Sequence, residues 1–105
     1  MVRHEQPYSF DDEEALARLQ ALADYWSAKH GVGTEWDGPS AHLKGRKLGV
    51  KYDARVRIGD GRVVAEVDVG FLAEKLGGPK YVRRKLAEYL DPDVTVEVLR
   101  ARIPG

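Results

Sequence analysis

From Val50 to Phe71 apolar and polar residues alternate on both sides of a glycine-rich turn. Val50, Tyr52, Ala54, Val56 and Ile58 alternate with Lys51, Asp53, Arg55 and Arg57. Beyond Gly59-Asp60-Gly61, Val63, Ala65, Val67, Val69 and Phe71 alternate with Val64, Glu66, Asp68 and Gly70. A period of two marks strands with one covered face. A two-residue Asp60-Gly61 turn of the primed type pairs Ile58 with Val63, Val56 with Ala65, Ala54 with Val67 and Tyr52 with Val69. One more loop residue would set Ala54 against Glu66 and mix the faces, so the shorter turn is expected.

The rest of the chain supplies the partners of this hairpin. Val2 to Tyr8 reads as a short edge strand, with Pro7 tolerated near its end. Ser9 or Asp11 caps a following helix, whose first turn carries Asp12, Glu13 and Glu14 against the helix dipole. Leu16, Leu19, Ala23 and Trp26, flanked by Leu22, form its buried stripe. His30 in the last turn and Gly31 in the left-handed position end it. Val32–Asp37 and Ser40–Arg46 form a second hairpin around Asp37-Gly38, which sets Trp36 against Pro39, Thr34 against Ala41 and Val32 against Leu43. Lys47 to Gly49 connects the two hairpins.

Leu72 to Leu76 reads as a helical turn broken at Gly77-Gly78, and Pro79 opens a new helix. Val82, Leu86, Tyr89 and Leu90 form its buried stripe, Lys80, Arg83, Arg84 and Glu88 point outward, and Asp91-Pro92 stops it. Val94, Val96 and Val98 alternate, but Leu99, Ala101 and Ile103 continue in the opposite phase. The tail at 94–103 is therefore expected to be a strand with a bulge near Val98-Leu99. The order strand, helix, two hairpins, helix, strand predicts a single α+β domain over 1–105. It is a mostly antiparallel sheet with two helices packed on one face. Trp36, Phe71, Leu19 and Leu86 are expected to dominate its core.

Composition narrows the functional classes. The chain has 105 residues, 43% hydrophobic and 32% charged, as in ordinary globular domains. No apolar run reaches the roughly 20 residues of a membrane helix, and the polar, acidic start is unlike a secretory signal. Cysteine is absent, which excludes disulfides and thiol chemistry. A cytoplasmic setting is the expectation. The 17 basic and 17 acidic residues cancel, so no global field gathers nucleic acid or anionic lipid.

Candidate chemistry is sparse. His4, His30 and His42 lie on different elements without ligand spacing, so no metal is expected. HExxH, GxSxG and Walker-type loops are missing, and Gly31-Val32-Gly33 follows a helix and lacks the third glycine of a dinucleotide loop. No cofactor is expected. Gly77-Gly78-Pro79 precedes a helix start, where amides could hold an anion; a simple helix start is the stronger reading. The hairpin register sets Arg55 against Glu66, a favourable pair, and Asp53 against Asp68, an unfavourable one. A cation, a shared proton or a basic partner would relieve that repulsion; Lys51, Arg55 or Arg46 nearby is the simpler remedy.

The uncovered face would present His42, Lys44, Arg46, Lys51 and Arg57, a mildly basic set. With Asp53, Arg55, Glu66 and Asp68 these form the candidate interaction surface. Sheets that bind single-stranded nucleic acid carry aromatic rings on the open face. Here Trp36, Tyr52 and Phe71 fall on the covered side, so nucleic acid is not an expected partner. The run Lys80, Arg83, Arg84 and Lys85 sits on a helix and reads as solvated.

Glu14-Ala15 opens the first helix, Trp36-Asp37-Gly38 ends a strand, and Gly49-Val50 enters the main hairpin. Val69-Gly70-Phe71-Leu72 leads to Gly78-Pro79 and the last helix. Together these signatures resemble the polyhydroxyalkanoic acid system protein family, also described as granule-region proteins. The resemblance covers about 8–90, and two departures mark it. Tyr8 precedes Ser9 where many members carry histidine, and the tail runs past the usual end. It implies a bacterial cytoplasmic protein linked to storage-polyester metabolism, with no catalytic residues to carry over.

The expected role is a non-enzymatic accessory module that meets a protein partner or the polyhydroxyalkanoate granule surface. Contact would run through the open sheet face or an edge strand, and an edge strand or the tail would be the route to a homodimer. The alternative is a small-ligand or hydrolase-like pocket between sheet and helices near Trp36, Tyr52 and Phe71.

Overall fold

In the computed structural model of the chain, residues 2–47, 49–68 and 80–103 are described. Five antiparallel strands form one sheet in the order β1-β5-β4-β3-β2. They are β1 (Val2–Pro7), β2 (Val32–Asp37), β3 (Ser40–Lys47), β4 (Val50–Gly59) and β5 (Arg62–Val67). Helices α1 (Asp12–His30), α2 (Lys80–Tyr89) and α3 (Val96–Ala101) complete the described elements. The α+β expectation holds, with three helices among the described residues in place of two. None of the described helices is long and apolar enough to cross a membrane.

The main hairpin has the expected register: Ile58 faces Val63, Val56 faces Ala65 and Ala54 faces Val67. Asp60 and Gly61 both take positive φ, 55° and 76°, as a primed turn requires. The Tyr52–Val69 pair, Phe71, the turn at 72–76 and Gly77-Gly78-Pro79 lie outside the described residues.

The second hairpin departs from expectation. Its turn is Gly38-Pro39, and Asp37 faces Ser40, Trp36 faces Ala41, Thr34 faces Leu43 and Val32 faces Gly45. Gly38 supplies the positive φ of 57° at the first turn position, while proline suits the second with its fixed negative φ. A strand position for Pro39 would have given up a ladder donor. The shift is two residues, so every side chain keeps its face.

In α1, Asp11 rather than Ser9 is the cap: its Oδ1 accepts from the Glu14 amide at 2.8 Å. Gly31 closes the helix in the left-handed region, its amide donating to the Ser27 carbonyl. The buried side holds Ala15, Leu19, Leu22, Ala23 and Trp26, with Leu16 only half-buried. Arg18 is buried with them. Its guanidinium donates to Glu14 Oε2 and to three backbone carbonyls, of Tyr89 (3.1 Å), Asp91 (2.9 Å) and Val94 (2.6 Å). Phe10 covers it, 4.4 Å from ring centre to guanidinium carbon. One arginine thus supplies donors to the Tyr89 and Val94 carbonyls and a second donor to the Asp91 carbonyl, which also accepts from the Val94 amide at 3.1 Å.

The tail is a helix, not a bulged strand. Thr95 caps α3, accepting from the Val98 amide at 3.3 Å, and the Leu99 amide returns to the Thr95 carbonyl. Leu99 is fully buried, while Val98 is exposed. Over so short a segment the spacing Val96–Leu99–Ile103 fits a helix as well as Val94–Val96–Val98 fits a strand. The threonine cap decides between them. The tail therefore offers no strand for covering a sheet edge or pairing with a second chain.

The core lies between the sheet and the helices. Its largest fully buried side chains are Trp26, Tyr89, Leu22, Leu86 and Leu99. Leu19 and Leu86 take their expected places, whereas Trp36 is only half-buried at the end of the sheet and Trp26 fills the centre.

Candidate interaction face

Alternation along the strands, combined with the register, fixes what the uncovered face displays. One row crosses all five strands: Glu35, His42, Arg55, Glu66 and Arg3 stand side by side from β2 to β1. A second row holds Asp37, Ser40, Arg57, Val64 and Glu5. A shallow trough of about 850 Å³ runs over this end, lined among others by Arg3, Glu35, His42, Arg55, Arg57 and Glu66. Toward the other end Lys44 stands opposite Asp53 and Arg46 opposite Lys51.

The nine expected surface residues are thus on one face, in two groups. His42, Arg55, Arg57 and Glu66 line the trough; Lys44, Arg46, Lys51, Asp53 and Asp68 lie outside it. The expectation of a mildly basic face needs correction at the trough, where Glu35, Asp37 and Glu66 offset the arginines. Cationic excess is confined to Lys44, Arg46 and Lys51, which form no ion pair among the described residues. Arg3 and Glu35 escaped the sequence reading because their place in the row depends on edge-strand pairing.

The opposed carboxylates are resolved locally. Asp53 Oδ1 lies 3.0 Å from His42 Nε2, a diagonal contact across β3 and β4. Asp68 Oδ1 accepts from the Asp53 amide at 3.2 Å, and the Asp68 amide donates to the Asp53 carbonyl at 3.0 Å. The Asp68 side chain takes the acceptor role that a backbone carbonyl has elsewhere in the ladder. His42, rather than Lys51, Arg55 or Arg46, is the side chain that meets the Asp53 carboxylate. Among the described residues no three His, Asp or Glu side chains converge as a metal site requires.

The covered side carries the aromatic groups. Tyr52 is buried, and Trp36 meets Leu19, Leu22, Ala23 and Trp26 of α1. The space between them is about 10 Å³, near the minimum for one water, so the described residues leave no room for a ligand between Trp36 and α1. His30, in the last turn of α1, is buried and stacked on Tyr52, with Nε2 3.4 Å from Tyr81 Oη. Trp26 Nε1 donates to the same hydroxyl at 3.0 Å. Burial pushes the Tyr81 hydroxyl up to about 12 despite that bond. Of the basic run on α2, Lys80, Arg83 and Arg84 are exposed, whereas Lys85 lies 4.4 Å over the Tyr25 ring.

Fold and face together define a small α+β domain whose apolar side is closed by helices and whose other side is a wall of ordered charge. Residues 3–93 match the family model described as "Putative polyhydroxyalkanoic acid system protein". The chain belongs to that family. Neither the comparison with curated proteins nor that with solved structures found a match.

Proposed function

We propose that this chain is a non-enzymatic accessory module of the polyhydroxyalkanoate system, cytoplasmic and recruited to the granule by a protein partner on its uncovered sheet face. The distribution of apolar surface carries the reading. Strand and helix stripes are spent on the core, and Val2 and Val98 are the exposed large hydrophobics among the described residues. A protein that coats a polyester directly needs a contiguous apolar patch. The open face offers instead a charged trough and a basic corner at Lys44, Arg46 and Lys51. Charge of this kind selects a partner by electrostatic fit.

Granules isolated from polymer-accumulating cells provide the test. Wild-type chain should bind native granules, and binding should fall with salt and vanish once the granules are stripped of protein. The double reversal Arg55→Glu with Arg57→Glu should abolish binding while leaving the circular-dichroism spectrum unchanged. Salt-resistant binding to stripped granules would overturn the proposal.

A further inference from the structure

Going beyond that reading, we infer that two copies of this chain associate through β1, strand to strand and antiparallel about His4, to form one continuous sheet. Backbone geometry selects the edge and the register. The Tyr8 amide donates to the Gly61 carbonyl on β5 at 2.9 Å. Direction alternates along a strand, so the amides of His4 and Gln6 also turn toward β5, while those of Arg3 and Glu5 turn away. Among the described residues β1 pairs only with β5, and none of them takes up the outer backbone groups of Arg3 and Glu5.

Antiparallel pairing about His4 places Arg3 opposite Glu5 of the second copy, and Glu5 opposite its Arg3. Both are residues whose backbone groups face outward, so each pair exchanges reciprocal amide–carbonyl bonds, and both pairs are of opposite charge. The neighbouring registers fail. Pairing about Arg3 opposes two arginines; pairing about Glu5 opposes two glutamates and sets Arg3 against Pro7, which has no amide to give. The other edge, β2, carries only acidic charges, Glu35 and Asp37, and so has no opposite-charge register with itself.

Two further observations fit this register. Val2, 40% exposed, comes to lie beside Gln6 of the second copy. His4 is buried with its Nε2 unpartnered, and here the two imidazoles face each other across the axis in the closer type of pair. Directly opposed residues point to the same side of a sheet, so the two charged faces join into one surface. A partner displayed in many copies on a granule would then be gripped with avidity.

Sedimentation equilibrium of the full chain tests this independently of granule binding. The wild type should be a dimer. Arg3→Glu or Glu5→Arg alone should weaken self-association by about tenfold or more, and the swap of both should restore it. Glu5→Pro, at an amide facing away from β5, should yield a folded monomer. A wild-type monomer at high micromolar concentration, single reversals that still dimerise, or a folded swap variant that stays monomeric would overturn the inference.

Discussion

The two faces of the sheet are built from alternate residues of the same strands, yet they hold opposite chemistry. On β4, Tyr52, Ala54, Val56 and Ile58 are buried, while Lys51, Arg55 and Arg57 between them are exposed. The covered face is specified by volume: its side chains share one core with those of the helices, and a change of volume alters packing. The open face is specified by register, which decides which charge stands beside which. Substitutions on the first should therefore cost stability, and substitutions on the second should cost recognition.

The largest effect should come from the covered side. Trp26→Ala removes a fully buried indole that also donates to Tyr81, and should cost about 3–5 kcal/mol in chemical denaturation. Arg18→Ala should cost nearly as much, about 3 kcal/mol, because carbonyls of Tyr89, Asp91 and Val94 lose their shared donor. Arg18→Lys should recover only part of that, since one ammonium lacks the planar fork.

Gly45→Ala comes next, at about 1–3 kcal/mol by thermal or urea unfolding. An added Cβ would sit 2.7 Å from the Gly31 carbonyl oxygen and 2.8 Å from Val32 Cα, both backbone atoms that cannot yield cheaply.

The covered face should also show itself at alkaline pH. Burial raises both the Tyr81 and Tyr89 hydroxyls from 10.0 to about 12. A phenol held neutral in the fold contributes fully below its unfolded value. That contribution is lost as pH rises, so stability should fall between pH 10.0 and about 12. Tyr81→Phe should flatten the fall, as followed by urea midpoint against pH.

The smallest effect belongs to the open face. Asp68→Asn should be neutral or stabilising by at most about 0.5 kcal/mol, because the amide oxygen still accepts from Asp53 while like charge is removed. Asp68→Ala, which deletes the acceptor, should cost about 1 kcal/mol.

What the sequence could disclose follows the same division. The β4–β5 register was legible because one glycine-containing turn and a strict alternation leave a single solution. The α1 boundaries were legible from Asp11 and Gly31. The β2–β3 register was not, because Asp37-Gly38 competes with Gly38-Pro39 and both keep the faces intact. The tail misled because two periods fit the same few valines and leucines, and Thr95 was the cue to weigh. Arg18 sits in the apolar stripe between Ala15 and Leu22, and its partners are carbonyls far along the chain that no local pattern reveals. On the open face the nine expected residues were found by phase alone. Glu35 and Arg3 were not, since edge strands take their neighbours from tertiary pairing.

The central claim is that the charged face, not the helical side, meets the partner, and a cysteine-free chain permits a direct measurement. Ser40→Cys places a single thiol beside the trough, and Ala87→Cys places one on the exposed surface of α2. Maleimide labelling rates would be compared with and without native granules. The account predicts that granules slow labelling of the Ser40→Cys thiol and leave the Ala87→Cys thiol unchanged; the opposite pattern would contradict it.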